Sequence, residues 1–293
     1  MHRALKTHAR YAYSAITRRP DYDWPGGKRL AVYIGFNVEH FDFGDGLGAA
    51  LGPKSPQPDV LNYSWRDYGN RVGVWRCLEL FESLKLPLGA LVNTALYDYC
   101  PEVIEAFVKR GDELIGHGHT NSDRQGGLSK QDEKLLLLSC KKRIHRESKQ
   151  NPTGWLSPWI SESVDTPDLL AETGYRYTLN WCHDDQPTRF TTRSGKTLWS
   201  IPYPQELNDI PMIVARQMDG RDFADMIVDN FDEMLAQSKA QPLVIGIALH
   251  PYIVGQPYRL RHLRRALKHI ARVKNVWLTT PGAICDHVSK SKR

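Results

Sequence analysis

Apolar and polar residues come in blocks along the chain, and the first long apolar block ends abruptly in polar side chains. The run at residues 30–36 (LAVYIGF) has the length and the β-branched and aromatic content of a buried strand. Asn37, Glu39 and His40 follow it almost at once. In parallel α/β folds, residues just beyond the carboxyl ends of strands line the substrate site. The pattern therefore predicts a functional site where this strand ends.

Three further apolar runs end in histidines or carboxylates. They are ELIG before His117 and His119, YRYTLNW before His183, Asp184 and Asp185, and LVIGIAL before His250. A single carboxylate of this kind is weak support for a site, because loop carboxylates are usually solvated. Four strand ends with the same character predict that imidazoles and carboxylates meet at one end of the fold.

Strands and helices alternate regularly from residue 30 to the end of the chain. Eight strand-like runs are separated by helix-like runs whose lengths suit βαβ units, which indicates a parallel sheet. About eight strands in one domain favour closure into an α/β barrel, with an open doubly wound sheet as the alternative. No glycine-rich phosphate loop follows a strand, so the main reason to prefer a nucleotide-binding fold is missing.

Composition narrows the classes of protein without choosing a function. The chain has 293 residues, 41% of them hydrophobic, and no shift in composition divides it, so we predict an N-terminal arm at residues 1–24 and a single domain at 25–293. The net charge of +6 does not require a nucleic-acid partner. The arm is basic but has no apolar segment, and the five cysteines show no paired spacing. These features predict a cytoplasmic protein with no membrane partner.

Four short motifs follow one another in a fixed order. They are Glu39-His40, His117-Gly-His-Thr-Asn121, Trp155-Leu-Ser-Pro-Trp159 and Ala248-Leu-His250. Their order resembles the polysaccharide deacetylase superfamily, whose distorted (β/α) barrel carries an Asp-Asp motif, a His-(Ser/Thr)-x-x-His motif, an Arg/Pro-rich motif and a late Leu-x-His. The resemblance covers the chain from about residue 25 onward and implies the same distorted barrel, with about seven or eight strands.

The metal motif of that superfamily is incomplete here. With His117 at its first histidine position the second falls on Asn121, and with His119 there it falls on Asp123. In this departure the chain resembles a cytosolic branch of the superfamily that acts on small cyclic amides. The branch comprises the metal-independent allantoinases and the cyclic imide hydrolases. Segments such as NYSWRDYGNRVGVWR, GWLSPWISES and ALHPYIVGQPYR are similar to that branch in wording and order.

The resemblance implies hydrolysis of a carbon–nitrogen bond in a small cyclic imide, with ring opening to a half-amide by activated water. Allantoinase activity, carbohydrate N-deacetylation and a catalytically inactive binding module are the alternatives. Glu39 is the expected general base or water-orienting group, because it stands where the superfamily has its catalytic carboxylate. His117 and His250 are the expected acid/base pair, since an imidazole does either task near neutral pH.

The substrate-binding and metal residues rest on the same resemblance. Aromatic side chains suit a flat uncharged ring, and polar ones suit its carbonyl and N–H groups. The residues assigned to these tasks are Tyr68, Arg66, Ser157, Trp159, Trp181, Asp184 and Asn208. The sequence leaves open whether a metal is needed, and a zinc ion, if held, would take Glu39, His117, His119 and His250.

The resemblance also implies partners. It predicts a small cyclic imide or ureide as ligand, and a homo-oligomer, in this branch a tetramer. The segment at residues 42–64 is rich in glycine and proline and is too irregular for a helix, so we expect it to form a lid or a subunit contact.

Overall fold

The first strand occupies the centre of the sheet. The computed structural model describes residues 6–44, 46–52 and 55–290. Every residue of β1 (Leu30–Val38) is buried, and the strand pairs in parallel with β8 (Leu243–Leu249) on one side. On the other side its two halves pair with β2 (Leu88–Val92) and β9 (Val276–Thr279), both also in parallel.

The remaining strands continue from β2 to form a sheet of nine among the described residues. The strand order is β6-β7-β5-β4-β3-β2-β1-β8, with β9 beside β1, and β6 alone runs antiparallel to its neighbour. The further bounds are β3 (Glu113–Gly116), β4 (Gly154–Trp155), β5 (Tyr177–Thr178), β6 (Thr188–Phe190) and β7 (Leu198–Ser200). The predicted distorted α/β barrel is confirmed, while β6 was not predicted.

Helices cover the sheet and join its strands. The longer ones are α1 (Val60–Tyr68), α2 (Val74–Ser83), α4 (Pro101–Arg110), α5 (Lys130–Ser148), α6 (Thr166–Glu172), α7 (Gly220–Gln237), α9 (Pro257–Ala271) and α10 (Pro281–Lys290). Single turns form α3 (Leu96–Tyr99) and α8 (Pro251–Val254). A π-helical turn, Gly69–Gly73, joins α1 to α2. The expectation that residues 42–64 are too irregular for a helix is wrong at their C-terminal end, because Asp59 caps α1, which begins at Val60. The α10 helix was not predicted. None of the described helices is long and apolar enough to cross a membrane.

The two faces of β1 pack against different parts of the molecule. Phe36 packs outward against the helix layer, with its ring centroid 5.2 Å from that of Phe81. Tyr33 points into the barrel, where its hydroxyl donates to the backbone oxygen of Pro202. Side chains alternate along a strand, so Asn37 and Glu39 continue the inward face that begins with Tyr33. The site at the strand end is thus a consequence of the alternation that builds the core.

The described part of the N-terminal arm lies against the strands of the far half of the sheet. Arg10 forms an ion pair of 2.9 Å with Asp168, and Arg19 forms one of 2.7 Å with Asp184. Trp24, which is 1% exposed, ends the arm by donating its indole N–H to the backbone oxygen of Leu243 over 3.0 Å. These contacts fix residues 6–24 along the surface of the barrel.

Candidate active site

Three strand ends bring polar side chains together around the carboxylate of Glu39. Glu39 follows β1, His117 follows β3 and His250 follows β8, and all three are at most 4% exposed. Oε1 of Glu39 lies 3.4 Å from Nε2 of His117 and 3.5 Å from Nε2 of His250. The Asn121 amide donates to Oε1 over 2.8 Å, and the Tyr252 hydroxyl donates to Oε2 over 3.0 Å. We call these five residues the Glu39 cluster.

His250 is held by a second buried carboxylate, that of Asp209. One oxygen of Asp209 lies 2.6 Å from Nδ1 of His250, and the other accepts the backbone N–H of His250 over 2.8 Å. Burial opposes a charge on the imidazole, but the negative charges of Asp209 and Glu39 outweigh burial and raise the pKa of His250 to about 10. At neutral pH His250 is therefore an imidazolium.

Glu39 stays ionised although it is buried. Burial would raise its pKa, but the positive charge of His250, together with smaller contributions from His117 and from the hydrogen bond of His250, outweighs burial and lowers the pKa from the ordinary 4.5 to about 2. A carboxylate with so low a pKa is a weak base near neutral pH. Of the two roles predicted for Glu39, the electrostatics favour orienting water over removing its proton.

His117 is oriented by a backbone carbonyl. Its Nδ1 lies 2.7 Å from the oxygen of Leu156, and a carbonyl oxygen only accepts, so we assign the ring proton to Nδ1. In the neutral ring Nε2 then carries a lone pair facing Glu39. Two acceptors at this separation do not bond each other, but a water molecule can donate one O–H to each. His117 is the member of the cluster best placed to take a proton from such a water.

His119 does not join the cluster, contrary to the expectation that both imidazoles face one ion. Its side chain is exposed, and its Nδ1 lies 3.0 Å from the hydroxyl of Thr94. The expectation assumed an extended segment, on which residues two apart share a face. Gly118 instead has a φ of 72°, in the left-handed region, and this turn directs His117 and His119 to different sides.

We expect substitutions of His117 and His119 to have very different effects on kcat. His119→Ala should leave kcat within about twofold of the unchanged protein, because an exposed side chain outside the cluster is lost. His117→Ala should lower kcat by about a hundredfold, because the proton acceptor is lost. Steady-state kinetics on the substrate proposed below measures both values. Equal losses in the two variants would contradict the orientation described here.

Gly118 should be more sensitive to substitution than a glycine of similar backbone conformation. A Cβ at Gly118 would lie 2.6 Å from Cγ of Pro158, whereas one at Gly111, with a φ of 78°, would meet nothing within 4 Å. We expect Gly111→Ala to cost about 1 kcal/mol of unfolding free energy, the cost of the backbone conformation, and Gly118→Ala to cost about 2 kcal/mol or more. Urea denaturation measures the difference. Equal losses would show that Pro158 yields without cost.

A small pocket opens directly above the Glu39 cluster. It has a cavity volume of about 140 Å³. Its floor includes Glu39, His117 and His250, and apolar side chains including Phe41, Ile160 and Pro211 line its walls. A cavity of this size admits a small ligand as well as water.

Three of the seven residues predicted to bind substrate line this pocket. They are Ser157, Trp159 and Asn208. The backbone N–H of Ile210 donates to Oδ1 of Asn208, and no described group accepts from Nδ2 of Asn208. Asn208 is therefore a hydrogen-bond donor at the pocket wall.

The other four predicted residues lie outside the pocket. The guanidinium of Arg66 stacks on Phe41 with a separation of 4.6 Å and donates to its own helix, and Tyr68 contacts Arg76. Trp181 contacts the N-terminal arm, and Asp184 pairs with Arg19. Arg66 and Tyr68 were assigned to substrate binding only because the sequence around them is similar to the branch that acts on small cyclic amides. Trp181 and Asp184 follow a strand end, but their segment leaves β5 away from the barrel axis and meets the arm. Of the Asp184-Asp185 pair, Asp185 is the exposed member.

Sequence reasoning did not assign Asn121 or Tyr252 to the site, and it considered Asp209 only together with Asn208, as a hydrogen-bond partner of the substrate. Asp209 adjoins Asn208 in PQELNDIP, yet only the folded chain shows that it contacts His250. Tyr252 follows His250 by two residues on the first turn of α8, which returns its hydroxyl to Glu39. The short distance in sequence from His250 was the one available signal for Tyr252.

The described side chains do not assemble the four-residue zinc set of Glu39, His117, His119 and His250. No group of three or more His, Cys, Asp or Glu within the described ranges is arranged to hold a metal ion. Asn121 stands at the second histidine position and directs its amide N–H at Glu39. His119, the remaining member of the set, is exposed and hydrogen-bonded to Thr94 instead.

The chain is similar over most of its length to proteins named for deacetylation and to one allantoinase. No family model matches it. It is 26% identical over 276 residues to a Schizosaccharomyces pombe protein whose name places it among the polysaccharide deacetylases, covering 87% of this chain and 84% of that protein. It is 23% identical to the peptidoglycan deacetylase of Helicobacter pylori, covering 89% and 98%. The crystal structure of the PuuE allantoinase matches with a TM-score of 0.85 and 26% identity, covering 96% and 98%.

The fold and the similarities agree with the order of motifs in the sequence. The barrel is shared with solved structures over nearly the whole of each chain, and the named relatives align over most of theirs. Together these findings support placement of the chain in the polysaccharide deacetylase superfamily.

Proposed function

We propose that the protein hydrolyses a carbon–nitrogen bond in a small cyclic imide and opens the ring to a half-amide. The observation that carries the proposal is the small walled pocket of about 140 Å³ above the Glu39 cluster. A compact ring matches this volume, whereas a sugar polymer needs an extended groove. An imide nitrogen is also flanked by two carbonyls, so it leaves more readily than the nitrogen of a simple amide.

The cluster supplies the groups that ring opening requires. Water bridging Glu39 and Nε2 of His117 attacks one imide carbonyl carbon, and His117 takes the proton as the new C–O bond forms. The carbonyl π electrons move to oxygen, and Nδ2 of Asn208, which lines the pocket, donates to the resulting anion. The oxygen anion then re-forms its C=O bond as the C–N bond breaks, and the imidazolium of His250 gives its proton to the departing nitrogen.

Asn121 offers a further contact to a cyclic substrate. Its Oδ1 is buried and has no hydrogen-bond partner among the described residues, although the side chain lines the pocket. A buried acceptor without a donor is costly, and the N–H of an unsubstituted imide satisfies it. The unpartnered Oδ1 supports a substrate ring that carries an N–H between two carbonyls.

Allantoin is the second candidate substrate. The observation in its favour is the close structural match to the PuuE allantoinase over nearly the whole chain. Allantoin also has a ring with N–H and carbonyl groups, but it carries a ureido substituent that must fit under the same walls. Carbohydrate N-deacetylation has the support of two relatives' names and of a solved structure named as a polysaccharide deacetylase, which matches with a TM-score of 0.84.

A substrate panel tests the proposal. The purified full chain is given succinimide, maleimide, racemic allantoin and an N-acetylated oligosaccharide, each with and without chelator. We expect the highest kcat/KM on the two imides, unchanged by chelation. A higher kcat/KM on allantoin would make the protein an allantoinase instead, and release of acetate from the oligosaccharide with inert imides would overturn the proposal.

We also propose that the protein acts as a cytoplasmic homo-oligomer and takes no metal cofactor. Within residues 42–64, apart from the undescribed 45, 53 and 54, Phe43, Leu51 and Leu61 are about half exposed, at 55%, 51% and 49%. Exposed apolar side chains in one segment support a subunit contact. Leu61→Glu should lower the molar mass measured by light scattering, and an unchanged mass would remove this segment from the contact.

A further inference from the structure

One wall of the pocket is a loop with a strained backbone. Residues 157–164, here called the roof loop, include Trp159 and Ile160, whose φ angles are 61° and 53°. Both side chains line the pocket. Left-handed backbone is costly for such residues, most of all for β-branched Ile160, and it persists only where the surroundings impose it. The contacts that hold the roof loop therefore bear on the shape of the pocket.

The Asn180 side chain joins the start of the roof loop to Glu162 near its end. Its Oδ1 accepts the backbone N–H of Ser157 over 2.8 Å, while its Nδ2 donates to Oγ of Ser157 over 2.8 Å and to Oε1 of Glu162 over 2.7 Å. All three bonds require one orientation of the amide. If the amide turned over, its NH₂ group would face the N–H of Ser157, which is also a donor.

Glu162 fixes that orientation and connects the loop to the rest of the barrel. Its carboxylate accepts from Asn180 on one oxygen and from Nε1 of Trp181 on the other, over 2.9 Å. Trp181 is in turn packed edge-on against Tyr11 of the N-terminal arm, with ring centroids 5.9 Å apart. The indole that sequence reasoning placed against the substrate is thus one layer behind the pocket.

We propose that Glu162 is a positioning residue. Through Asn180 and Trp181 it holds the roof loop in the position that gives the pocket room for a small ring. This inference rests on the proposed function for its substrate, but the contacts that carry it are independent of the reaction. Glu162 does not line the pocket and touches no member of the Glu39 cluster. Its loss should therefore weaken substrate binding and leave the chemical step nearly unchanged.

Glu162→Gln tests the proposal with a side chain of the same size. The carboxamide accepts on one oxygen only, and its NH₂ then meets one of the two N–H donors, so one bond is replaced by a clash of donors. We expect KM for succinimide to rise about tenfold with kcat within about twofold. Glu172→Gln is the matched control, because Glu172 lies outside the pocket on α6 and pairs with Arg193 and Lys134 at the surface. The control should change neither constant.

A second variant separates this role from a general loss of stability. Trp181→Phe keeps an aromatic ring and removes the indole N–H that would clash with the new carboxamide at position 162. The double substitution Glu162→Gln with Trp181→Phe should therefore have a lower KM than Glu162→Gln alone. Additive losses in the double variant, or equal falls in kcat and kcat/KM in Glu162→Gln, would overturn the proposal.

Hydrogen exchange provides a readout that does not depend on activity. Peptides covering residues 157–164 should exchange faster in Glu162→Gln than in the unchanged protein, while β1 stays protected. Unchanged exchange there would overturn the positioning role even if succinimide is a substrate. Faster exchange with inert imides would keep the role and reject the proposed function.

Discussion

Glu39→Gln is expected to lower kcat for succinimide by about a thousandfold while the fold is retained. The substitution keeps the shape of the side chain but removes the charge around which the cluster is arranged. Water loses its anionic acceptor, and the amide of Asn121 then meets a group that is no longer acceptor-only. His250 loses one of the two carboxylates that raise its pKa.

The matched control for this substitution is Glu113→Gln. Glu113 begins β3, the strand whose other end leads to His117, and its carboxylate accepts from Tyr177 and from the backbone of Gly282. A loss of carboxylate charge at that end of the barrel should leave kcat within about twofold. Circular dichroism on both variants shows whether each is folded, and a Glu39→Gln enzyme with normal kcat would remove Glu39 from the chemistry.

Asp209→Asn is expected to have the second largest effect, a fall in kcat of about a hundredfold. Asp209 holds His250 through both carboxylate oxygens, one on the ring and one on the backbone. The amide removes the charge that keeps the ring protonated. It also has only one acceptor oxygen to serve both Nδ1 and the backbone N–H of His250. His250 is then a weaker donor to the departing nitrogen because fewer molecules carry the imidazolium.

The pH dependence distinguishes this explanation from a loss of packing. In the unchanged protein kcat/KM should fall as pH rises through about 10, where His250 loses its proton. In Asp209→Asn that fall should move to lower pH, since burial, which lowers the pKa of His250, is then less strongly opposed. A pH profile of the same shape, merely lower throughout, would show that Asp209 acts by packing alone.

The stability of the fold should respond to the same ion pair. The pKa of His250 in the folded chain lies above its ordinary 6.5, so the folded state binds this proton more tightly than the unfolded state. Its contribution to the free energy of unfolding is fully present below pH 6.5 and is lost as pH rises through about 10. Urea denaturation at several pH values should show this loss in the unchanged protein and a smaller one in Asp209→Asn.

The barrel and the centre of the site could be predicted because both follow from local rules. Period-two alternation in β1 sets which side chains face inward, and the polar break after Val38 marks where the strand delivers Glu39. Similar breaks after β3 and β8 mark His117 and His250, which the structure brings to Glu39. These residues lie at strand ends, where pattern and position coincide.

The remaining parts of the site depend on geometry that a sequence pattern does not carry. His119 differs from His117 through one left-handed glycine, and nothing in the alternation of residues indicates that turn. Trp181 looks like a pocket aromatic because it follows a strand, yet the arm takes up its ring and Glu162 takes up its N–H. Asp209 reaches His250 across 41 residues of chain, a contact that only the closed barrel creates.

The most direct test of the central claim is the fate of succinimide with the purified, chelator-treated protein, followed by proton NMR. We predict that succinamate, the half-amide, accumulates with the unchanged enzyme and with His119→Ala, and that Glu39→Gln forms it about a thousandfold more slowly. Succinimide that stays intact with the unchanged enzyme, or that opens equally fast with Glu39→Gln, would contradict the assignment of this pocket to ring opening by Glu39 and its two histidines.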